Sequence, residues 1–329
     1  MKITKNLIYV FLSLLLFFGW FKKSKSYKID FFQNINNGNT QQVVQQLLRT
    51  YIQSFTKTET AFKTNNKIQF KPNQRINHQI ILDTYTQSIT PFSSKEKNII
   101  QLHIELINQN IPFLSKTPWR FIKLTGQLEK NMPFTLGQFI FLPEKMVDVL
   151  SFEPKSHHLD TLIHEKIHVL QRLYPNLFHT FYHKFIGSIY YEKKVHIIRY
   201  WKQQHLKNPD GMDINWIYRH GGNFYLPMLI FKNHGRSIEQ IVILLKKRYG
   251  LFYTTKTHIP ISEFPVFQGY PTYVSCYHPN EISACVIPKL LWKNVDNHKL
   301  KLPNNKIKKG FLKLIQNLKS SSTYNSNFS

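Results

Sequence analysis

Cysteine and arginine are both scarce in this chain. Only Cys276 and Cys285 occur in 329 residues, too few for a disulfide framework. Their spacing matches no Cys-x-x-Cys metal or redox pair, so two buried thiols are expected. Arginine numbers 8 against 36 lysines. Arginine is the side chain that grips phosphates and base edges with two hydrogen bonds, so the basic excess reads poorly as specific nucleic-acid recognition. The chain has no phosphate-binding P-loop, no Gly-x-Gly-x-x-Gly after a strand, no Gly-x-Ser-x-Gly elbow and no internal repeat. Acidic residues are few as well, 18 against 44 basic ones, for a net charge of +26. A charge of that size suits an anionic membrane, nucleic acid or acidic substrates. With 42% hydrophobic residues the chain has enough apolar surface for a core, which excludes disorder throughout. Abundant Lys, Asn, Ile, Tyr and Phe match the product of an AT-rich genome.

The one long apolar run is Leu7–Phe21, with Lys2 and Lys5 before it and Lys22, Lys23, Lys25 and Lys28 after it. As a helix it spans roughly 22 Å, short of a ~30 Å hydrocarbon core unless the lysines snorkel. The exit Gly19-Trp20-Phe21-Lys22-Lys23 is a poor cleavage site, which favours an uncleaved membrane anchor over a cleaved signal and secretion. The lysine balance leans towards a cytoplasmic body.

Four regions are expected: 1–28, the anchor or signal; 29–115, mainly helical; 116–293, a catalytic domain; and 294–329, a basic and partly disordered tail. Apolar periodicity predicts helices over Gln41–Phe55 and Ser93–Asn110, with Ser93 or Ser94 as cap. Lys57–Gln87 is polar and takes no assignment. Arg120–Leu124 and Phe134–Leu142 read as strands, and Phe224–Phe231 as an edge strand because it holds Pro227. Further helices are expected over Ser156–Leu173, Asn176–Tyr191, Ser237–Tyr249 and Asn280–Leu291, the last bent by Pro288.

The chemistry is concentrated in Leu162-Ile163-His164-Glu165-Lys166-Ile167-His168. Two histidines four apart on a helix leave the same face and can hold one metal ion. Glu165 lies about 100° round the helix, where it can reach a metal-bound water without being a ligand. Chance predicts roughly 0.02 such His-Glu-x-x-His strings in a chain of this composition.

On these residues the sequence resembles the zincin metallopeptidases, whose signature is this helix. The resemblance implies an α+β fold: a mixed sheet, an edge strand along which peptide lies antiparallel, and a His-Glu-x-x-His helix packed on a second ligand-bearing helix. Phe134–Leu142 sits where that strand belongs. It also implies zinc bound by His164 and His168, with Glu165 as general base and then proton shuttle, acting on a peptide or protein substrate.

A catalytic zinc wants three protein ligands and one open position. The metzincin pattern is excluded, because Gln171 and Tyr174 stand where it needs Gly and His. Glu192, Glu239, Glu263 and Glu281 follow the motif, and Glu281 alone sits near a plausible helix start, behind Asn280 and before the small Ser283 and Ala284. Glu281 is therefore the expected third ligand, as in gluzincins. An Asp from Asn208-Pro209-Asp210-Gly211-Met212-Asp213 competes with it, as do His179, His183, His278 and Cys276. For the oxyanion donor the expectation is His278, with His220, Tyr270 and Tyr273 as alternatives. Asp160 either orients an imidazole or is a solvated acid at the helix start. Two other functional classes stay open: an inactive zincin fold serving as a structural or binding protein, and a basic membrane-associated nucleic-acid binder.

Overall fold

A computed structural model describes residues 27–32, 38–71, 73–151, 156–211, 215–232, 237–271, 274–291, 300 and 302–321. The expected anchor, Leu7–Phe21, lies outside them. Among the described residues no helix is long and apolar enough to cross a membrane.

The described residues form an α+β fold with two sheets. Strand β1 (Ile29–Phe31) leads into helices α1 (Gly38–Ile52), α2 (Lys57–Lys63) and α3 (His78–Gln87), the short strand β2 (Ile89–Thr90) and helix α4 (Ser94–Asn110). Strands β3 (Trp119–Leu124), β4 (Phe134–Leu136) and β5 (Phe139–Pro143) complete the first sheet, in the order β1-β3-β5-β4 with β2 also on β3. It is mixed: β3 runs parallel to β1 and β5, while β2 and β4 are antiparallel to their neighbours. Region 29–115 therefore supplies two strands to the sheet of the region after it.

Helices α5 (Glu144–Leu150), α6 (Ser156–Leu173) and α7 (Pro175–Phe181) follow. Next come β6 (Ser188–Tyr190), α8 (Arg199–Gln204), β7 (Trp216–His220), β8 (Asn223–Lys232), β9 (Ser237–Arg248) and β10 (Leu251–Pro260). These five strands form an antiparallel meander. Helices α9 (Pro279–Leu291) and α10 (Asn305–Ser320) close the described chain.

Strand alternation explains how the first sheet is covered on both faces. Trp119, Phe121, Ile140 and Leu142 point to the core that holds Leu159, Leu162, Ile163, Ile167 and Leu170 of α6. Ile122, Leu124, Phe139 and Phe141 point the other way, to Val44, Leu48 and Tyr51 of α1 and Ile81 and Tyr85 of α3. Lys166 fastens α6 to the sheet. Fully buried, it donates to the carbonyls of Thr117 (2.9 Å) and Pro118 (2.7 Å) and lies over the Trp119 ring.

Several expectations are corrected. Phe134–Leu142 is not one strand but the β4–β5 hairpin, turned at Gly137, whose φ of +57° suits glycine. The helix expected over Asn176–Tyr191 stops at Phe181, runs through a π-turn to Ile186 and yields at Gly187 (φ +80°) to β6. Ser237–Tyr249 is not a helix but β9, the strand between β8 and β10. Its β-branched run Ile241-Val242-Ile243 is buried on both faces, and a continuous apolar run fits either period. Strand β8 is interior rather than an edge. Pro227 is tolerated because β7 pairs only as far as Tyr225, so its missing N–H falls where that side is open. Part of the C-terminal tail is folded: α10 buries Ile307, Phe311, Leu314 and Leu318. The polar Lys57–Gln87 stretch holds α2, opened by a Thr56–Glu59 capping box, and α3, capped by Asn77.

Behind β4 lies a buried ionic knot. Glu129 accepts from Tyr51 (3.0 Å), Tyr85 and Lys63 (2.8 Å), and sits in a turn whose Gln127, Glu129, Lys130 and Asn131 all have positive φ. Left-handed backbone costs about 1–2 kcal/mol per non-glycine residue, so the knot must hold the turn in place. Glu129→Ala strands Lys63 without its counter-charge and is expected to cost about 3–5 kcal/mol by urea denaturation. Ser93→Ala, which removes the side-chain cap of α4, should cost only about 1 kcal/mol.

Candidate metal centre

The site starts from the packing of α9 on α6. Ser283 and Ala284 are fully buried, and their small side chains let the helices approach closely. One turn apart on α6, His164 and His168 bring their Nε2 atoms to 3.0 Å. From the first turn of α9, Glu281 places Oε1 3.4 Å from His168 Nε2 and Oε2 3.6 Å from His164 Nε2. One ligand atom from each of the three lies within 4.8 Å of the others, so the group can hold a metal ion. Glu281 thus stands beside both histidines, where a third donor to a metal would be.

Second partners fix the imidazoles. The Gln171 amide donates to Asn280 O and Ser283 Oγ (both 2.9 Å), which turns its Oε1 to His168 Nδ1 at 2.9 Å. The proton must then sit on Nδ1, leaving the Nε2 lone pair for the site. His164 bonds to the backbone carbonyl of Ala284. That carbonyl is free because residue 288, four further on, is a proline without N–H. Pro288 therefore supplies an acceptor to the first histidine. Two imidazole lone pairs and a carboxylate facing one another are mutually repulsive, which is what a cation relieves.

Burial sets the charges. It pushes both imidazoles down to about 3, assisted at His164 by its neighbour His168 and at His168 by Arg172. Burial, with Asp210 adding repulsion, raises Glu281 to about 8. The same causes hold the Glu165 carboxyl well above the usual carboxylate range. Glu165 lines the cavity beside His164 and Glu281, and its Oε2 is buried with no hydrogen-bond partner.

A bracket that the sequence reading missed supports Glu281. Asn208 donates to Glu281 Oε1 at 3.1 Å and also to the Tyr277 hydroxyl. Asp210 falls outside that group of three. It accepts from the Thr135 amide (3.2 Å) and Arg172 (3.1 Å), and its carbonyl accepts from Asn280 (2.9 Å). A side chain at Gly211 would meet the His278 ring at 2.9 Å, so glycine lets this turn lie against the start of α9. The faint signal was the turn Asn208-Pro209-Asp210-Gly211 itself, which sequence reading treated as a ligand source rather than a brace.

Strand β4 is the outer strand of its sheet, but its edge is occupied. The outward N–H of Thr135 goes to Asp210, and its carbonyl accepts from Arg172 at 3.1 Å.

The other expected residues fall elsewhere. His278 is buried, accepts from the Asn280 amide through Nδ1 and does not line the cavity; its neighbour Tyr277 does. Tyr273 and Asp213 lie outside the described residues. His220 is exposed against Phe264, His179 stacks on Tyr190, and Tyr270 and His183 are likewise not among the cavity's walls. Asp160 does line the cavity, where it pairs with Lys289 across α6 and α9. Burial pushes both thiols up to about 12, so Cys276 and Cys285 stay protonated.

The chain matches no known protein-family model, no curated protein and no solved structure. What it does is therefore read from its own side chains.

Two outcomes are expected. Gln171→Leu, which frees His168 Nδ1, should weaken metal binding about 10–100-fold in a chelator competition while leaving the fold intact. The second concerns pH. Below about 8 the Glu281 carboxyl holds a proton that a metal must displace, whereas the imidazoles, near 3, hold none. Metal affinity should rise by about one factor of ten per pH unit between roughly pH 5 and 7, then level off above pH 8. Histidines of ordinary basicity would give a steeper rise below 6.5.

Proposed function

We propose that this chain is a zinc-dependent metallopeptidase of the zincin type with a glutamate third ligand. The observation that carries the reading is the meeting of the buried His168 with His164 and Glu281, two residues that line the cavity together with Glu165. Three donors of this kind with one side open are the ligand set of a catalytic rather than a structural zinc. The cavity has a volume of about 550 Å³, and Phe62, Met132, Phe134, Leu206, Leu229 and Ile238 make much of its lining apolar. That is room for peptide side chains beside the reacting bond.

Zinc held there supplies Lewis acidity to a carbonyl and lowers the pKa of water towards ~7. The rest is done by the chain. Glu165, buried and with one oxygen unpartnered, takes the proton of the attacking water and passes it to the leaving amine. Its raised basicity suits both transfers. Gln171 and the Ala284 carbonyl hold the imidazoles in the required tautomer, and Asn208 holds the carboxylate. With Thr135 already bonded to Asp210 and Arg172, peptide reaches the site through side-chain contacts in the cavity more than by pairing along β4. The apolar Leu7–Phe21 segment and its flanking lysines support a membrane location for this activity.

Purified full-length protein should carry one zinc per chain by mass spectrometry. Glu165→Gln should keep that zinc and lose about 10²–10⁴-fold in turnover of a peptide library. Glu281→Ala should lose the metal. A chain without stoichiometric metal, or a Glu165→Gln variant that cleaves unchanged, overturns the proposal. Zinc without cleavage in any form would favour the structural or binding reading.

A further inference from the structure

The β9–β10 hairpin ends in a feature that the metal site does not use. Arg248 pairs with Leu251 across a two-residue turn, Tyr249-Gly250. Lys246, Lys247 and Arg248 are all exposed. Successive strand residues point to opposite faces, so exposure of all three puts basic side chains on both faces of the tip, with Lys247 lying over the ring of the buried Phe252. Tyr249 at its apex is 99% exposed.

Tyr249 also stands at φ +51°, followed by Gly250 at +76°. Positive φ at both central residues is the type I′ pattern, which Asn-Gly satisfies and a tyrosine resists. An aromatic ring that is fully wet and seated on unfavourable backbone gives the fold nothing, so its use lies outside the fold.

The surroundings have one sign of charge. The Tyr191 hydroxyl donates to the Gly250 carbonyl at 2.9 Å, which sets the exposed Lys193 and Lys194 beside the tip. Phe224 pairs with Leu245, which brings the β7–β8 turn and the exposed Arg219 to the same end of the sheet. Across residues 191–194, 219–223 and 246–251, Glu192 is the sole acid.

We propose that this end of the second sheet is a contact surface for anionic phospholipid, with Tyr249 entering the headgroup layer and Lys193, Lys194, Arg219, Lys246, Lys247 and Arg248 on the phosphates. The shape favours lipid over nucleic acid. Single-stranded nucleic acid is held in a basic groove with several stacking rings, whereas here one ring tops a convex tip. Amphipathic aromatic rings and nearby lysines are the pairing found at membrane–water interfaces.

The test uses full-length protein and phosphatidylcholine vesicles with and without phosphatidylserine. The ratio of the two partition coefficients removes any charge-independent insertion of the amino-terminal segment. The triple variant Lys246→Gln, Lys247→Gln, Arg248→Gln should lose roughly 100-fold of the phosphatidylserine-dependent gain. Tyr249→Asn should bind these vesicles more weakly although its turn is better suited to the backbone and its melting temperature is no lower. A phosphatidylserine gain that is unchanged in the triple variant overturns the proposal. So does loss of single-stranded oligonucleotide binding by that variant with vesicle binding intact. Neither result depends on zinc or peptidase activity.

Discussion

The close approach of α6 and α9 is the contact on which the candidate site depends. Ser283 and Ala284 are fully buried between the helices, and only side chains of that size let Glu281 reach two imidazoles on the facing helix. Larger residues there would push the carboxylate away from the histidines without touching any of the three. The same contact carries the second partners: Gln171 bonds to Ser283 and to the Asn280 carbonyl, and His164 bonds to Ala284. Packing and ligand orientation are therefore one interaction. Lys166, on the opposite side of α6, ties that helix to the start of β3 and gives α9 a rigid surface to meet.

Electrostatics explains why so many supports are needed. Glu165, Glu281 and Asp210 are all buried near one another, an arrangement that burial and mutual repulsion oppose. Arg172 offsets part of this by pairing with Asp210, and Asn208 donates to Glu281. What remains uncompensated is gathered in one place: two imidazole lone pairs, the Glu281 carboxylate and one oxygen of Glu165. A divalent cation and its water would satisfy all of them together.

Legibility in the sequence followed the range of the interactions. His164, Glu165 and His168 are read from five adjacent residues, and α6 was bounded at Ser156 and Leu173 because its apolar stripe and charges are local. Glu281 was selected by its place after Asn280 and before two small residues, which are also local features. Asn208, Gln171 and Arg172 were not read, since each acts through a partner distant in sequence and looks like an ordinary polar residue on its own. His278 was expected at the reacting centre for its closeness in sequence to Glu281, but a side chain beside a ligand in sequence need not face the cavity. Period failed for β9, where an unbroken run of Ile, Val and Leu fits helix and strand alike and only the flanking strands decide between them. Pro227 misled in the opposite direction: its missing N–H marks an open position, and β8 has one only where β7 has ended.

We propose that His164, His168 and Glu281 hold a zinc ion beside Glu165. A crystal structure of the zinc-loaded protein with anomalous diffraction recorded on both sides of the zinc edge tests it most directly. A single anomalous peak is expected about 2.0–2.2 Å from His164 Nε2, His168 Nε2 and a Glu281 carboxylate oxygen. Density bonded elsewhere, or no peak between these three side chains, would contradict it.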